Sequence, residues 1–513
     1  MNFSSLASRY LLTALTCLAV AVGPFLHIPW TVDASYHNNQ RLMQVGVLLI
    51  GAVTVLVRQR RQGGALVWPG KVGAAWLGAW LLLGAVSSMQ SLSPRHAFYE
   101  WGSMTLLVML ALAIAAEWMW TARGNEAGAA AHVESGPGRV AARLRRTMLW
   151  CGYGCVAYVF LAMAYYLIAV IGHVQPSQLM LSPGYDNHRF LNHVQTISLP
   201  FLAWLTLPAG GVADGRAHRA MWWRMTAVWW MLLFVTGGRG TVFGIGVAIV
   251  VVLGLYGRAA WPWVRALLAT AAAGLIAYLL LYVALPMAIG LKPFGVLQGV
   301  AERSLVDPAS GRLDLWRLAW SMIQSHPWLG EGPLHFAHRA MALQANAHPH
   351  DWLLQIAAEW GVPAVGALTA ALVCGAMAMW RRGRAVADGD LAGQALRTTL
   401  VGGAVATVAD ACVSGSIVMP ISQLWIVLLV AGSVAWTQSG AAASGNRLAA
   451  GPMPHAHRNV WVSMLMALVL AFAVASVLRG MLPEALGLGA QERGFTPPAY
   501  PFFAPRLWRN GYF

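Results

Sequence analysis

Residues 241–257 (TVFGIGVAIVVVLGLYG) and 262–289 (PWVRALLATAAAGLIAYLLLYVALPMAI) are two long apolar blocks with only a few residues between them. An α-helix rises about 1.5 Å per residue, so blocks of this length reach across the roughly 30 Å hydrocarbon core of a bilayer. A helix on the surface of a soluble protein carries a polar stripe, which these blocks lack. We therefore predict that both are membrane-spanning helices.

Blocks of the same kind recur along the chain. The candidate spans lie at 10–29, 43–57, 72–90, 103–120, 148–171, 194–210, 220–236, 241–257, 262–289, 352–380, 394–414, 418–437 and 459–478. We interpret the first as a membrane helix, because no convincing signal-peptide cleavage site follows it. The pattern predicts an all-α polytopic membrane protein with about 12–13 transmembrane helices.

The composition agrees with a membrane protein. Hydrophobic residues make up 58% of the chain and charged residues 10%, whereas soluble domains have about 25% charged residues. The five cysteines lie within apolar spans, which argues against a disulfide framework or a metal site. No Walker loop or His-Glu-x-x-His motif occurs, so the sequence does not indicate an ATP-driven machine or a metalloprotease.

The net charge of +16 does not indicate a nucleic-acid-binding protein, because the basic residues lie between the apolar blocks. Every second loop is basic, which is the positive-inside pattern and predicts a cytoplasmic N-terminus in a bacterial inner membrane. The long hydrophilic segment 290–351 would then face the periplasm. Its helix-like stretch 313–325 and its tryptophans predict that this loop is ordered.

Three arginines lie in loops that the topology places outside the cytoplasm: Arg189, Arg239 and Arg312. Arg239 stands in a Thr-Gly-Gly-Arg-Gly-Thr turn before a helix, where glycines and a helix start favour an anion. Guanidinium groups bind phosphate with two parallel hydrogen bonds. The alternatives are a snorkelling anchor for Arg239 and a solvated loop helix for Arg312.

Two histidines and an aspartate precede the span at 352–380: His348, His350 and Asp351. A neutral imidazole accepts a proton near pH 7, and a carboxylate can orient it. A metal site is the competing interpretation, but the spacing offers no further ligand. The pattern therefore favours a general base, although a polar helix cap is also compatible with it.

One run of motifs resembles the O-antigen ligase and O-antigen polymerase superfamily, which includes protein O-oligosaccharyltransferases. The matching residues are Gly311-Arg312, Trp316, His326-Pro327-Trp328-Leu329-Gly330-Glu331-Gly332, His348-Pro349-His350-Asp351, Leu354-Gln355 and Glu359-Trp360-Gly361. The segment 190–193 and Arg239 match more weakly. The resemblance extends from about residue 185 to 435 and implies N-terminal helices (1–180), a catalytic core (181–437) and a C-terminal helix with a periplasmic tail (438–513).

The resemblance implies a fold similar to that of C-type glycosyltransferases and a glycan donor linked to undecaprenyl pyrophosphate. It implies no metal and no other cofactor. Arg239 and Arg312, with Arg189, would bind the pyrophosphate, and His350, or failing that His348, would activate the acceptor hydroxyl. Many members have Asn where this chain has Asp351, so this residue either orients the base or caps the next helix.

The acceptor stays open at this point. Lipid A-core, as in an O-antigen ligase, is favoured by the chain length and the single large outside loop. A second lipid-linked glycan or a protein hydroxyl are the alternatives. A lipid-linked oligosaccharide transporter would instead use ionisable residues at membrane depth, for which Asp410 and Glu117 are the candidates. A non-catalytic scaffold would leave the Arg and His cluster without a role.

Overall fold

The computed structural model describes residues 10–28, 35–62, 66–119, 136–208, 215–296, 312–341, 346–443, 460–485 and 506–508. Within these ranges all regular elements are helical. The helices are α1 (Leu11–Val22), α2 (Tyr36–Gln62), α3 (Lys71–Gln90), α4 (Pro94–Met119), α5 (Gly136–Ile171), α6 (Gln178–Leu181), α7 (His188–Leu205), α8 (Arg216–Thr236), α9 (Arg239–Tyr256), α10 (Trp261–Tyr278), α11 (Leu285–Ala288), α12 (Arg312–Ser325), α13 (His335–Met341), α14 (Trp352–Trp360), α15 (Val362–Arg384), α16 (Leu391–Ala411), α17 (Pro420–Ala443) and α18 (Val460–Ala485).

Eight segments of the described chain are long and apolar enough to cross a membrane. One of them, Arg239–Ala288, continues from α9 through α11. Each predicted span overlaps a helix. The prediction of an all-α polytopic membrane protein is confirmed.

Helices α7, α8 and α16 match predicted spans but are not among these eight segments. Helix α7 shows why, since all of its residues from Phe190 to Leu205 are buried. Several of them are polar, including Gln195 and Thr196. A helix enclosed by other helices does not need an apolar exterior, because its polar groups can bond to its neighbours.

The predicted span 352–380 is wrong in its boundaries, since the chain forms two helices there. Helix α14 ends at Trp360, and α15 begins at Val362. Between them Gly361 adopts φ 92° and ψ 161°, a conformation that is essentially restricted to glycine. A side chain here would overlap the carbonyl oxygen of Trp328. The apolar character continues across the break, so hydrophobicity alone does not reveal it.

Backbone hydrogen bonds tie the long loop to this break. Glu331 donates to Ala358 O at 3.0 Å, Gly332 donates to Glu359 O at 2.9 Å, and Val362 donates to Pro327 O at 2.8 Å. These bonds satisfy the polar backbone where α14 ends. The His-Pro-x-x-Gly-x-Gly and Glu-x-Gly motifs therefore pair with each other in space.

The expectation of an ordered loop helix is confirmed. Helix α12 covers the predicted stretch and packs on α13 and α14 around a separate small core. This core contains Leu315, Ala319, Met322, Phe336 and Ala358. The loop is therefore attached to the membrane helices by its own apolar contacts.

Replacing Gly361 by Ala should destabilise the protein by about 1–3 kcal/mol, because the new Cβ requires a strained backbone and meets Trp328. The matched control is Gly366→Ala in α15, where a Cβ would contact nothing within 4 Å. This control should change stability by at most about 1 kcal/mol. Thermal unfolding midpoints of the purified variants measure both effects. Equal midpoints for the two variants would contradict the role of Gly361.

Candidate active site

The predicted site residues all lie at helix starts. Arg189 is the second residue of α7, Arg239 opens α9, and Arg312 opens α12. His348 and His350 immediately precede α14. The charges of Arg189 and Arg312 act on both histidine rings, and the charge of Arg239 acts on Arg312. The structure thus brings together five residues that the sequence spreads over about 160 positions.

The turn that carries Arg239 is fixed by Asn192 of α7. The Asn192 side chain donates to Thr236 Oγ1 at 2.6 Å, and the backbone carbonyl oxygen of Asn192 accepts from Thr241 Oγ1 at 2.9 Å. Gly237 provides the left-handed residue (φ 65°) that ends α8. The segment 190–193, which resembles the family more weakly, therefore has a structural role. Its residue Asn192 bonds to Thr236 and to Thr241, which lie on either side of Arg239.

The His-Pro-His segment is fixed by two tryptophans. Trp316 Nε1, one helical turn after Arg312, donates to the carbonyl oxygen of Pro349 at 3.1 Å. Trp352 Nε1 donates to Cys412 Sγ at 3.2 Å at the end of α16. The first contact connects the segment that contains Arg312 and Trp316 to the His-Pro-His segment.

The two histidine rings touch each other. Their centroids are 4.1 Å apart with an interplanar angle of 63°, and the residues are 3% (His348) and 8% (His350) exposed. His350 adopts φ 57°, which is uncommon for a non-glycine residue. His348 Nδ1 and His350 Nε2 have no hydrogen-bond partner among the described residues. A neutral imidazole has one ring nitrogen that can accept a proton, so each ring has one such nitrogen.

Both imidazoles are held in the neutral form. Burial lowers the pKa of His350 well below 6.5, and the charges of His348, Arg189 and Arg312 act in the same direction. Burial also lowers the pKa of His348, with Arg506 as the strongest charged contributor. A neutral imidazole at physiological pH is the form that works as a general base.

The arginines form a site suited to an anion. Partial burial lowers the pKa of Arg312, and the nearby charge of Arg239 lowers it further. Two guanidinium groups that repel each other are stabilised by an anion between them. Helix α9 adds its positive dipole end, and its first turn has no side-chain cap.

Asp351 caps α14. Its Oδ1 accepts hydrogen bonds from the backbone N–H of Leu353 at 2.8 Å and of Leu354 at 3.0 Å. This is the geometry of a helix N-cap. Of the two roles considered for Asp351, the described contacts therefore favour the cap.

Several polar residues near the site were not assigned a role in glycan transfer from the sequence. His193 Nδ1 lies 3.9 Å from Asp410 Oδ2, and Ser414 donates to the same oxygen at 2.6 Å. The sequence indicated Asp410 only as a candidate for a transport role, because it is an ionisable residue in an apolar span. Arg506, in the C-terminal tail, had no such signal. Within the described residues, no three His, Cys, Asp or Glu side chains are placed to hold a metal ion.

Glu117, the other candidate for a transport role, is a structural anchor. It forms an ion pair with Arg58 at 2.7 Å and accepts bonds from the backbone N–H of Leu12 and Thr13. A buried carboxylate that has an ion pair and accepts hydrogen bonds from the first N–H groups of a helix stabilises the fold. These contacts give Glu117 a structural role.

The variant Asp351→Asn should keep both stability and the glycan transfer that the resemblance implies, because Asn caps helices as well as Asp does. Asp351→Ala should lose about 1 kcal/mol of stability. Unfolding midpoints and transfer rates of both variants distinguish the two roles. A large loss of transfer in Asp351→Asn at normal stability would show that the carboxylate orients a histidine.

Comparison with known proteins gives a family match. No curated protein matches the chain. Residues 225–369 match the family model described as O-antigen ligase. The matched segment contains Arg239, Arg312, His348 and His350. Residues 225–369 are therefore similar to the O-antigen ligase family, and this match supports the resemblance to the O-antigen ligase superfamily.

Proposed function

We propose that this protein transfers a glycan from undecaprenyl pyrophosphate to the hydroxyl of an acceptor at the periplasmic face of the bacterial inner membrane, and that the acceptor is lipid A-core. The superfamily supports a glycosyltransferase or ligase role in general. The observation that carries the proposal is a pair of buried neutral histidines beside three arginines from three helix starts.

The histidines provide the base that the reaction needs. The acceptor hydroxyl loses its proton as its oxygen bonds to the anomeric carbon of the glycan. A ring nitrogen of His350, or of His348, receives that proton. Both rings have a buried nitrogen without a partner among the described residues, so no protein contact has to break before proton transfer.

The arginines serve the leaving group. As the bond between the anomeric carbon and the pyrophosphate oxygen breaks, negative charge builds up on the pyrophosphate. Arg239 and Arg312 lie close enough to repel each other, so the developing negative charge would relieve this repulsion. Cleavage of the bond between the anomeric carbon and the pyrophosphate supplies the driving energy, the lipid pyrophosphate leaves intact, and neither a nucleotide nor a metal ion enters the proposed step.

A membrane location suits such a donor. The polyprenyl tail of the donor stays in the bilayer. The headgroup of the donor reaches the starts of α7, α9 and α12, where the long loop packs on the membrane helices. We expect the donor to enter sideways from the lipid. The acceptor would approach from the side of the loop that carries α12.

Replacing His350, His348, Arg239 or Arg312 by Ala tests the proposal in a strain that lacks its own copy of the gene. Loss of the base should lower transfer by about 100-fold or more, and loss of one arginine by about 100- to 1000-fold. Arg317→Ala is the matched control, because its side chain is 77% exposed on the same helix as Arg312. Glycan on lipopolysaccharide, on protein and on the lipid carrier is measured at matched membrane levels.

The products separate the possible acceptors. Lipid-linked glycan that accumulates while lipopolysaccharide loses its glycan supports ligation to lipid A-core. Shortened glycan chains would point to a polymerase, and loss of glycan from secreted proteins would point to a protein O-oligosaccharyltransferase. If all four variants behave like the wild type and like Arg317→Ala, the transferase proposal is wrong and a transporter or scaffold has to be considered.

The pH dependence gives an independent test. Protonation removes the base, so kcat/KM falls on the acidic side of the histidine pKa in the free enzyme. Since burial and the arginine charges place the pKa of His350 well below 6.5, kcat/KM should stay level as the pH falls through 6.5 and decline only at more acidic pH. Initial rates of the purified protein in lipid nanodiscs measure this profile. A decline centred near 6.5 would contradict a buried neutral base.

A further inference from the structure

Arg506, in the C-terminal tail, is a buried arginine in contact with the candidate site. Its side chain is 1% exposed. Nη1 and Nη2 donate to the two carboxylate oxygens of Glu359 at 2.9 and 3.1 Å, and Nη2 lies 3.6 Å from Glu100 Oε1. Two-point pairing of this kind is the most directional ion pair that proteins form.

The same guanidinium reaches the backbone of the His-Pro-His segment. Nη1 also donates to the carbonyl oxygen of Ala347 at 3.1 Å. Ala347 directly precedes His348, whose ring packs on Gly415 and on His350. Arg506 therefore connects Glu359, near the end of α14, to Ala347, the residue before His348.

Residues 506–508 are themselves held in place. The carbonyl oxygen of Arg506 accepts a bond from Arg41 Nη2 at 2.9 Å, and Arg41 Nη1 donates to Gln423 Oε1 at 2.8 Å. Leu507 is buried, and Trp508 packs against the core. Two arginines and two glutamates thus form a buried network of balanced charge, which is the arrangement that makes buried ions tolerable.

We propose that Arg506 is a positioning residue for the transfer reaction, and that it sets the backbone of Ala347 so that His348 and His350 face the substrate. The assignment rests on the proposed function. Arg506 touches neither the arginines of the anion site nor the nitrogens left for proton transfer. Its loss should therefore reduce turnover and leave donor binding nearly intact.

Two full-length variants test the role. Arg506→Met removes the charge and all side-chain hydrogen bonds of Arg506. Arg506→Lys keeps a positive charge for Glu359 and Glu100, but a single ammonium cannot bond both Glu359 oxygens and Ala347 in the same fork geometry. Arg317→Met, an exposed arginine on α12, is the control. All three are compared with the wild type at matched levels in lipid nanodiscs.

We expect kcat to fall by about 10- to 100-fold in both Arg506 variants, as a small displacement of a catalytic group does. Binding of undecaprenyl pyrophosphate, the probe for the donor site, should change by less than about 3-fold. Hydrogen exchange should accelerate at residues 346–351. Equal losses of binding and turnover, unchanged kinetics, or faster exchange spread over all helices would each overturn the positioning role.

A failure of the proposed function can be distinguished from a failure of the positioning role of Arg506. If the wild type transfers no glycan to any acceptor, the function is wrong, and hydrogen exchange alone decides whether Arg506 orders residues 346–351. If the wild type transfers glycan and Arg506→Lys does so equally well with unchanged exchange, only the assignment of Arg506 fails.

Discussion

Glu359 is the buried acceptor that joins the separate parts of the site. Its carboxylate accepts hydrogen bonds from Arg506 and from the backbone N–H of Phe336, while its carbonyl oxygen accepts from Gly332 and Ser87. Removing a carboxylate from water is costly unless such donors replace the water. The donors to the carboxylate come from the C-terminal segment and α13, and the donors to the carbonyl oxygen come from the loop and α3. Glu359 therefore holds these four parts in one arrangement. The position of the histidines follows from that arrangement.

The site combines two electrostatic requirements that support each other. A pyrophosphate needs positive charge, and a general base needs to be unprotonated. In the proposed reaction Arg189 and Arg312 would serve both needs, since their charges lower the pKa of His350 and would also attract an anion. A bound pyrophosphate would offset part of that charge and make the imidazole more basic. Proton acceptance would then become most favourable when the donor is in place.

Sequence reasoning identified the membrane helices and the five residues that the structure gathers, because apolar block length and motif order are local signals. It missed features that arise only from distant contacts. The break at Gly361 lies inside an apolar run, and its cause is the approach of Trp328. Arg506 lies in a tail rich in proline and aromatic residues, where nothing local marks it as buried. For Asp351 the sequence left two roles open, and the capping bonds that favour one of them could be seen only in three dimensions.

The contact between Ala347 and Arg506 also has a consequence for biosynthesis. The two residues are 159 positions apart, and translation adds about 5–20 residues per second. Roughly 10–30 s therefore pass between the synthesis of the histidine segment and that of the arginine that holds it. During this interval the membrane helices can insert and pack, but Glu359 and Glu100 do not yet have Arg506 as their ion-pair partner. Under the proposed function, the nascent protein would occupy the membrane before the histidine segment is held in place, and it would transfer no lipid-linked glycan until Arg506 has docked.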